Sequence, residues 1–209
     1  MVRFVKAATA AVGICCSTLS LADVIVIDFN NISTGGQFST PQFEDGFVID
    51  PALAPFDPVI DTLPGQMGSD GTPFLFFCGW CADDATEGVS IYSQTGLTFE
   101  LDSLDAFSGG ALPLQNFQGT GMVTGHFPGG GTISQAFSAN IAIDTVLFDD
   151  AWTNLTSIDI EFSVSSFYPA FVVPAVDNIT LQAVPIPAAV WLFGSALAGL
   201  GWLRRRQTV

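Results

Sequence analysis

A chain of 209 residues that is 49% hydrophobic has room for one ordinary domain with a real core, which excludes disorder of its bulk. The 19 Phe, 21 Gly and 12 Pro favour strands joined by turns and set an all-β class as the expectation. The formal charge of -15 is unevenly held: Arg3, Lys6, Arg204, Arg205 and Arg206 are the only basic residues, and all 20 Asp and Glu lie between Asp23 and Pro187, where His126 is the sole other candidate cation. Such a body repels phosphate backbones and anionic headgroups, which argues against nucleic acid and against peripheral docking on anionic lipid.

The chain opens on Arg3 and Lys6, then an apolar run over 7–14 extended by Cys15 and Cys16, then Ser20-Leu21-Ala22. A charged region, an apolar region and a small-x-small site in that order predict a signal peptide over 1–22, carried by the Sec translocon and cut by signal peptidase between Ala22 and Asp23. The alternatives are a short buried helix, or a lipid-modified Cys15, for which Ile14 stands where a small residue is wanted.

From 23 to 183 no long amphipathic helix is visible, and several segments alternate with period two. Leu97, Phe99 and Leu101 point one way while Thr98, Glu100 and Asp102 point the other, and 158–164 repeats the pattern. These are half-buried antiparallel strands with one solvated, acidic face. Further strands are expected at 24–29, 46–49, 74–77, 89–92, 121–125, 132–137, 145–148 and 176–181. About ten strands between clusters of Gly, Pro, Asn and Asp make an antiparallel β-sandwich of one domain, 23–183.

The chain closes on Val184-Pro185-Ile186-Pro187-Ala188, an uncharged stretch over 188–203, and Arg204, Arg205 and Arg206. As a helix the stretch spans about 24 Å, workable for a hydrocarbon core of about 30 Å if the arginines snorkel. The arginines then stay in the cytoplasm as a stop and the acidic domain faces the periplasm. The alternatives are a plain tail anchor or a core helix. Motif, span and basic cluster in this order resemble a PEP-CTERM sorting signal of the VPxPA type, found on Gram-negative proteins, over 184–209. Ile186 stands where the namesake motif has Glu. The resemblance implies an exosortase as partner, a stage anchored in the inner membrane by helix 188–203, and release to the cell surface or exopolysaccharide matrix of a biofilm.

Within the body, Ile27-Asp28-Phe29-Asn30, Gly129-Gly130-Gly131, Asn154-Leu155-Thr156-Ser157-Ile158 and Val176-Asp177-Asn178-Ile179-Thr180-Leu181 together are similar to the jelly-roll domains that precede such tails, themselves akin to galactose-binding-like and carbohydrate-binding modules. That resemblance implies adjacent first and last strands and calcium where they meet, with Asp28, Asn30, Asp177 and Asn178 as ligands. Abundant oxygen donors and no competing basic side chain suit a hard cation, against the plain reading of Asp28 and Asp177 as strand-end acids.

Catalysis is hard to build without Lys or Arg to stabilise an oxyanion, and His126 has no hydrolase elbow around it. The carboxylate pairs Asp83 with Asp84 and Asp149 with Asp150 would suit a glycosidase, but adjacent loop acids are usually solvated turn residues. Cys78 and Cys81 are the cysteines left after signal cleavage, and in an oxidising compartment they are expected to form a disulfide. Trp80, Tyr92, Trp152 and Tyr168 have the chemistry to stack on sugars, though the sequence leaves the ligand-binding residues unknown. The expected function is therefore a non-catalytic surface or matrix protein that recognises extracellular polysaccharide. The alternatives are an exported glycan hydrolase and a thiol-disulfide protein.

Overall fold

A computed structural model describes residues 23–32, 36–53, 59–61, 72–77, 86–109, 119–140, 142–163, 173–183 and 196–197. The chain divides into a unit over Ala22–Val184 and a second made of Met1–Leu21 with Pro185–Val209. Thirteen strands are described in the first: β1 Val24–Ile27, β2 Gly36–Gln37, β3 Gln42–Glu44, β4 Phe47–Asp50, β5 Val59–Asp61, β6 Phe74–Phe76, β7 Thr86–Ser93, β8 Phe99–Gly109, β9 Gly119–His126, β10 Thr132–Ala139, β11 Asp144–Leu147, β12 Ser157–Ser163 and β13 Val173–Ala183. The pairings between them are antiparallel.

The strands form two sheets. A seven-stranded sheet runs β11-β8-β13-β6-β5-β2 with β1 on β13, and a six-stranded sheet runs β10-β9-β12-β7-β4-β3. Period-two alternation decides what lies between them. From β12 come Ile158, Ile160 and Phe162, from β7 Val89 and Ile91, from β13 Val176, Ile179 and Leu181, and from β8 Phe99, Leu101, Leu104 and Ala106, all buried in one core. Edge-to-face ring pairs knit it, Phe47 on Phe99 at 5.3 Å and Phe137 on Phe162 at 5.1 Å. A smaller cluster of Phe74, Phe107 and Ala175 with Phe76 lies on the outer face of the seven-stranded sheet, because Ala175 pairs with Phe76 and Phe107 while its neighbour Val176 faces the core.

The first and last strands are neighbours: Val24 pairs with Gln182 and Ile27 with Ile179. A bulge breaks β13 between Asp177 and Thr180, where Asn178 adopts φ 47°. The β9–β10 hairpin turns through Gly129, Gly130 and Gly131, all at positive φ, a run that side chains other than glycine adopt only under strain.

The protein is thus an all-β antiparallel sandwich, and the expected fold class needs correcting at its C-terminus. Among the described residues no helix is long and apolar enough to cross a membrane. Of the stretch 188–203 only residues 196–197 are described, as helix, and the others lie outside the described residues. With no spanning helix among the described residues, the PEP-CTERM tail, the exosortase as partner, inner-membrane attachment, and the periplasmic and cell-surface localisation are not upheld, nor are the Sec translocon and signal peptidase, which rested on residues 1–22 outside the described residues. Ala22, the motif Val184, Pro185, Ile186, Pro187 and Ala188, and Arg204, Arg205 and Arg206 lie outside the described residues, as do Cys78 and Cys81 of the expected disulfide.

Candidate functional site

The outer face of the six-stranded sheet is set by register. One row across it reads Phe43 on β3, Val48 on β4, Tyr92 on β7, Ser157 on β12, His126 on β9 and Thr132 on β10. The next reads Asp50, Ser90, Asp159, Thr124 and Ser134, and a third Gly88, Glu161, Met122 and Ala136. Each of these residues alternates with a core residue, so the same pattern that buries Ile91 and Ile158 turns Tyr92 and Ser157 outward.

The face combines rings with short polar groups. Phe43 is 61% exposed, a large apolar side chain offered to water. Tyr92 is half-buried and its hydroxyl donates to Asp50 Oδ2 at 3.4 Å. Its pKa is raised by burial first and then by the negative charge and hydrogen bond of Asp50, so the phenol stays protonated and remains a donor. His126 Nε2 lies 2.7 Å from Asp159 Oδ2, with the two side chains 36% and 20% exposed, and Thr124 and Ser134 share a hydroxyl hydrogen bond of 3.1 Å. Gly88 belongs to the floor: a Cβ there would come 2.6 Å from the carbonyl oxygen of Ile160, so β7 and β12 approach closely only because that position is bare.

The residues singled out from the sequence fall in different places. Trp152 is 2% exposed and packs edge-to-face on Phe148 at 4.6 Å, which makes it a core residue rather than a sugar platform. Trp80, Tyr168, Asp83 and Asp84 lie outside the described residues. Asp149 caps the 3-10 turn Asp150–Trp152 by accepting from Ala151 N, a structural duty for one of the proposed acid pair. His126 ends β9 on the outer face and is joined to Asp159, a partner 33 positions away that local sequence could not supply.

At the junction of β1 and β13, Asp28 accepts from Asn30 N at 3.1 Å and Asn30 Nδ2 at 2.6 Å. Asp177 accepts from Thr72 Oγ1 and from Asn178 N, and Asn178 Nδ2 donates to Asp105. The four carry the oxygen donors a hard cation takes, and both carboxylates already accept hydrogen bonds from neighbours. Among the described residues, no group of three or more His, Cys, Asp or Glu side chains is gathered as a metal site.

Sequence reasoning missed Glu44. It is 2% exposed and accepts from Phe29 N at 2.9 Å and Asn31 N at 3.2 Å, holding the turn after β1, where Phe29 adopts φ 57°. Burial, with Asp28 adding repulsion, pushes its pKa to about 7 against the lowering effect of the two amide donors. The alternation Gln42-Phe43-Glu44 was the available signal: it puts Phe43 and Glu44 on opposite faces, so an outward Phe requires an inward Glu.

The chain is thus an all-β sandwich whose six-stranded sheet carries rings and short polar groups on its outer face. No protein-family model matches the chain, and no curated protein matches it, so the PEP-CTERM resemblance finds no support there either. Among solved structures the chain is similar to an exo-β-agarase at 11% identity and TM-score 0.44, covering 77% of this chain and 25% of that one. It is also similar to the family 11 carbohydrate-binding module of a cellulosomal cellulase from Clostridium thermocellum, at 13% identity and TM-score 0.38 over 79% of this chain and 97% of that one. A family 11 module from the same organism in complex with a β-1,3-1,4-mixed-linked tetrasaccharide gives 13% identity and TM-score 0.39 over 80% and 98%. The chain spans about a quarter of the agarase it matches and nearly the whole of the family 11 modules. At these scores the likeness is that of one sandwich to another, and a ligand does not follow from it.

Proposed function

We propose that the protein is a glycan-binding β-sandwich module, of the kind associated with glycan-active enzymes, and that it binds on the outer face of its six-stranded sheet without catalysing a reaction. The observation that carries this reading is the row Phe43, Tyr92 and His126, in register beside a row of hydroxyls and carboxylates. Pyranose rings present one apolar face and an equatorial belt of hydroxyls. Rings on the protein take the first, and Asp50, Ser90, Asp159, Thr124 and Ser134 take the second. Their side chains are short, so an extended chain can lie against the sheet.

The test is retention of the full chain in native gels cast with soluble polysaccharides. Slowed migration in at least one neutral or cationic glycan, abolished by Phe43→Ala with Tyr92→Ala, supports the reading; unchanged migration in all of them defeats it. Hydrolysis is the second reading, favoured by Asp159 and Glu161, which are two residues apart on one strand and point to the same face. Release of new reducing ends, lost in Asp159→Asn, would establish it in place of simple binding. Calcium held by Asp28, Asn30, Asp177 and Asn178 is a separate proposal resting on their oxygen donors and their position at the β1–β13 junction. A titration with Ca²⁺ that gives neither heat nor a higher Tm removes it.

A further inference from the structure

We propose that the glycan taken by this face carries free amino groups, as in a polymer of hexosamine lacking its acyl substituents, and that uronate and sulfated glycans are rejected. This rests on the glycan-binding reading above. The ring-bearing row makes the site, and the charges beside it select the ligand. Asp50 and Asp159 lie in one row two strands apart, a separation of about 10 Å, and Glu161 follows Asp159 along β12 by about 7 Å. The face presents Asp50 and Asp159 in the row next to that of Tyr92 and Glu161 in the row beyond, with His126 as its only candidate cation, and that one is joined to Asp159. Nowhere from Asp23 to Pro187 does the sequence place a Lys or Arg.

A neutral polyol covering this face offers the carboxylates hydroxyl donors in exchange for water, a smaller gain than a charged donor gives. An ammonium group beside each carboxylate forms a charge-assisted hydrogen bond, about twice as strong as a neutral one, and also settles favourably on the face of Tyr92. A polyanion meets repulsion from every side, since the body has no basic residue to offset its 20 acids.

Titration calorimetry of the full chain at about pH 5.5, where the ligand's amines are protonated, compares four linear hexamers: glucosamine, N-acetylglucosamine, glucose and a uronate. The glucosamine hexamer is expected to bind about tenfold or more tighter than either neutral one, with no binding of the uronate. The triple variant Asp50→Asn, Asp159→Asn, Glu161→Gln should lose that preference, binding the glucosamine hexamer no more tightly than the neutral ones, with a cooperative thermal transition showing that it is folded. The triple variant Glu100→Gln, Asp144→Asn, Asp150→Asn, which removes the same charge away from this face, should retain the preference. Equal or tighter binding of a neutral hexamer overturns the inference and leaves the glycan-binding reading intact. Equal loss of preference in both triple variants also overturns it, because the attraction would then belong to the body as a whole. Failure of all four hexamers to bind sinks the underlying reading together with the inference.

Discussion

The two outer faces of the sandwich are built from the same alternation yet differ in what their polar groups do. On the seven-stranded sheet, polar side chains are tied to one another across strands: Thr145 and Asn178 both donate to Asp105, Gln182 donates to Asp102, and Thr72 donates to Asp177. Beside them the cluster of Phe74, Phe107 and Ala175 buries part of that face. On the six-stranded sheet the ties include Tyr92 to Asp50, His126 to Asp159 and Thr124 to Ser134, and Phe43 stands largely in water. A face whose donors and acceptors answer one another contributes stability, whereas a face that leaves rings and polar groups at the surface is available to a ligand.

The sharpest way to break this contrast is at Trp152, which sequence chemistry offered as a sugar-stacking residue. Trp152→Ala should cost about 3–5 kcal/mol and unfold or nearly unfold the domain, measured by chemical denaturation. A stable variant that had lost only glycan retention would move the site away from the six-stranded sheet.

Glu44 supplies the next largest effect. Its folded pKa lies above the unfolded value, so the native state binds the extra proton and stability is greatest at acid pH. As pH rises from about 4.5 to about 7 the carboxyl ionises in the unfolded chain before the folded one, and on the order of 3 kcal/mol is lost. Tm should therefore fall across this window and then level. In Glu44→Gln the slope should flatten, and an unchanged slope would assign the pH dependence to other carboxylates.

Smaller effects separate the faces directly. Asp105→Ala removes the acceptor of both Thr145 and Asn178 and should cost about 1–2 kcal/mol, with Tm lower by several degrees and glycan retention unchanged. Tyr92→Ala should do the reverse: affinity falls by about tenfold while Tm moves little. If Asp105→Ala reduced retention more than Tyr92→Ala, the assignment of roles to the two faces would have to be exchanged.

Much of the sandwich was legible in the sequence because burial on one face leaves a period-two trace, as in Leu97 to Asp102 and in Ile158-Asp159-Ile160-Glu161-Phe162. The strands β2 and β5, of two and three residues, left no such trace, and the alternation of β3 over Gln42-Phe43-Glu44 is too brief to stand out by itself. The expected membrane span rested on hydropathy alone. An uncharged run meets a hydropathy criterion in any setting, and the conformation it takes is a separate matter.

By itself the sequence determined the class of fold, the strands with clear alternation and a body without Lys or Arg, because each follows from residue order or count alone. Only the tertiary structure decided which face carries Phe43, Tyr92, His126 and Asp159 together, that Trp152 is core, and that Glu44 is buried. Those outcomes depend on which strands become neighbours, and pairing between residues 30 to 50 positions apart leaves no mark in the local sequence of either strand.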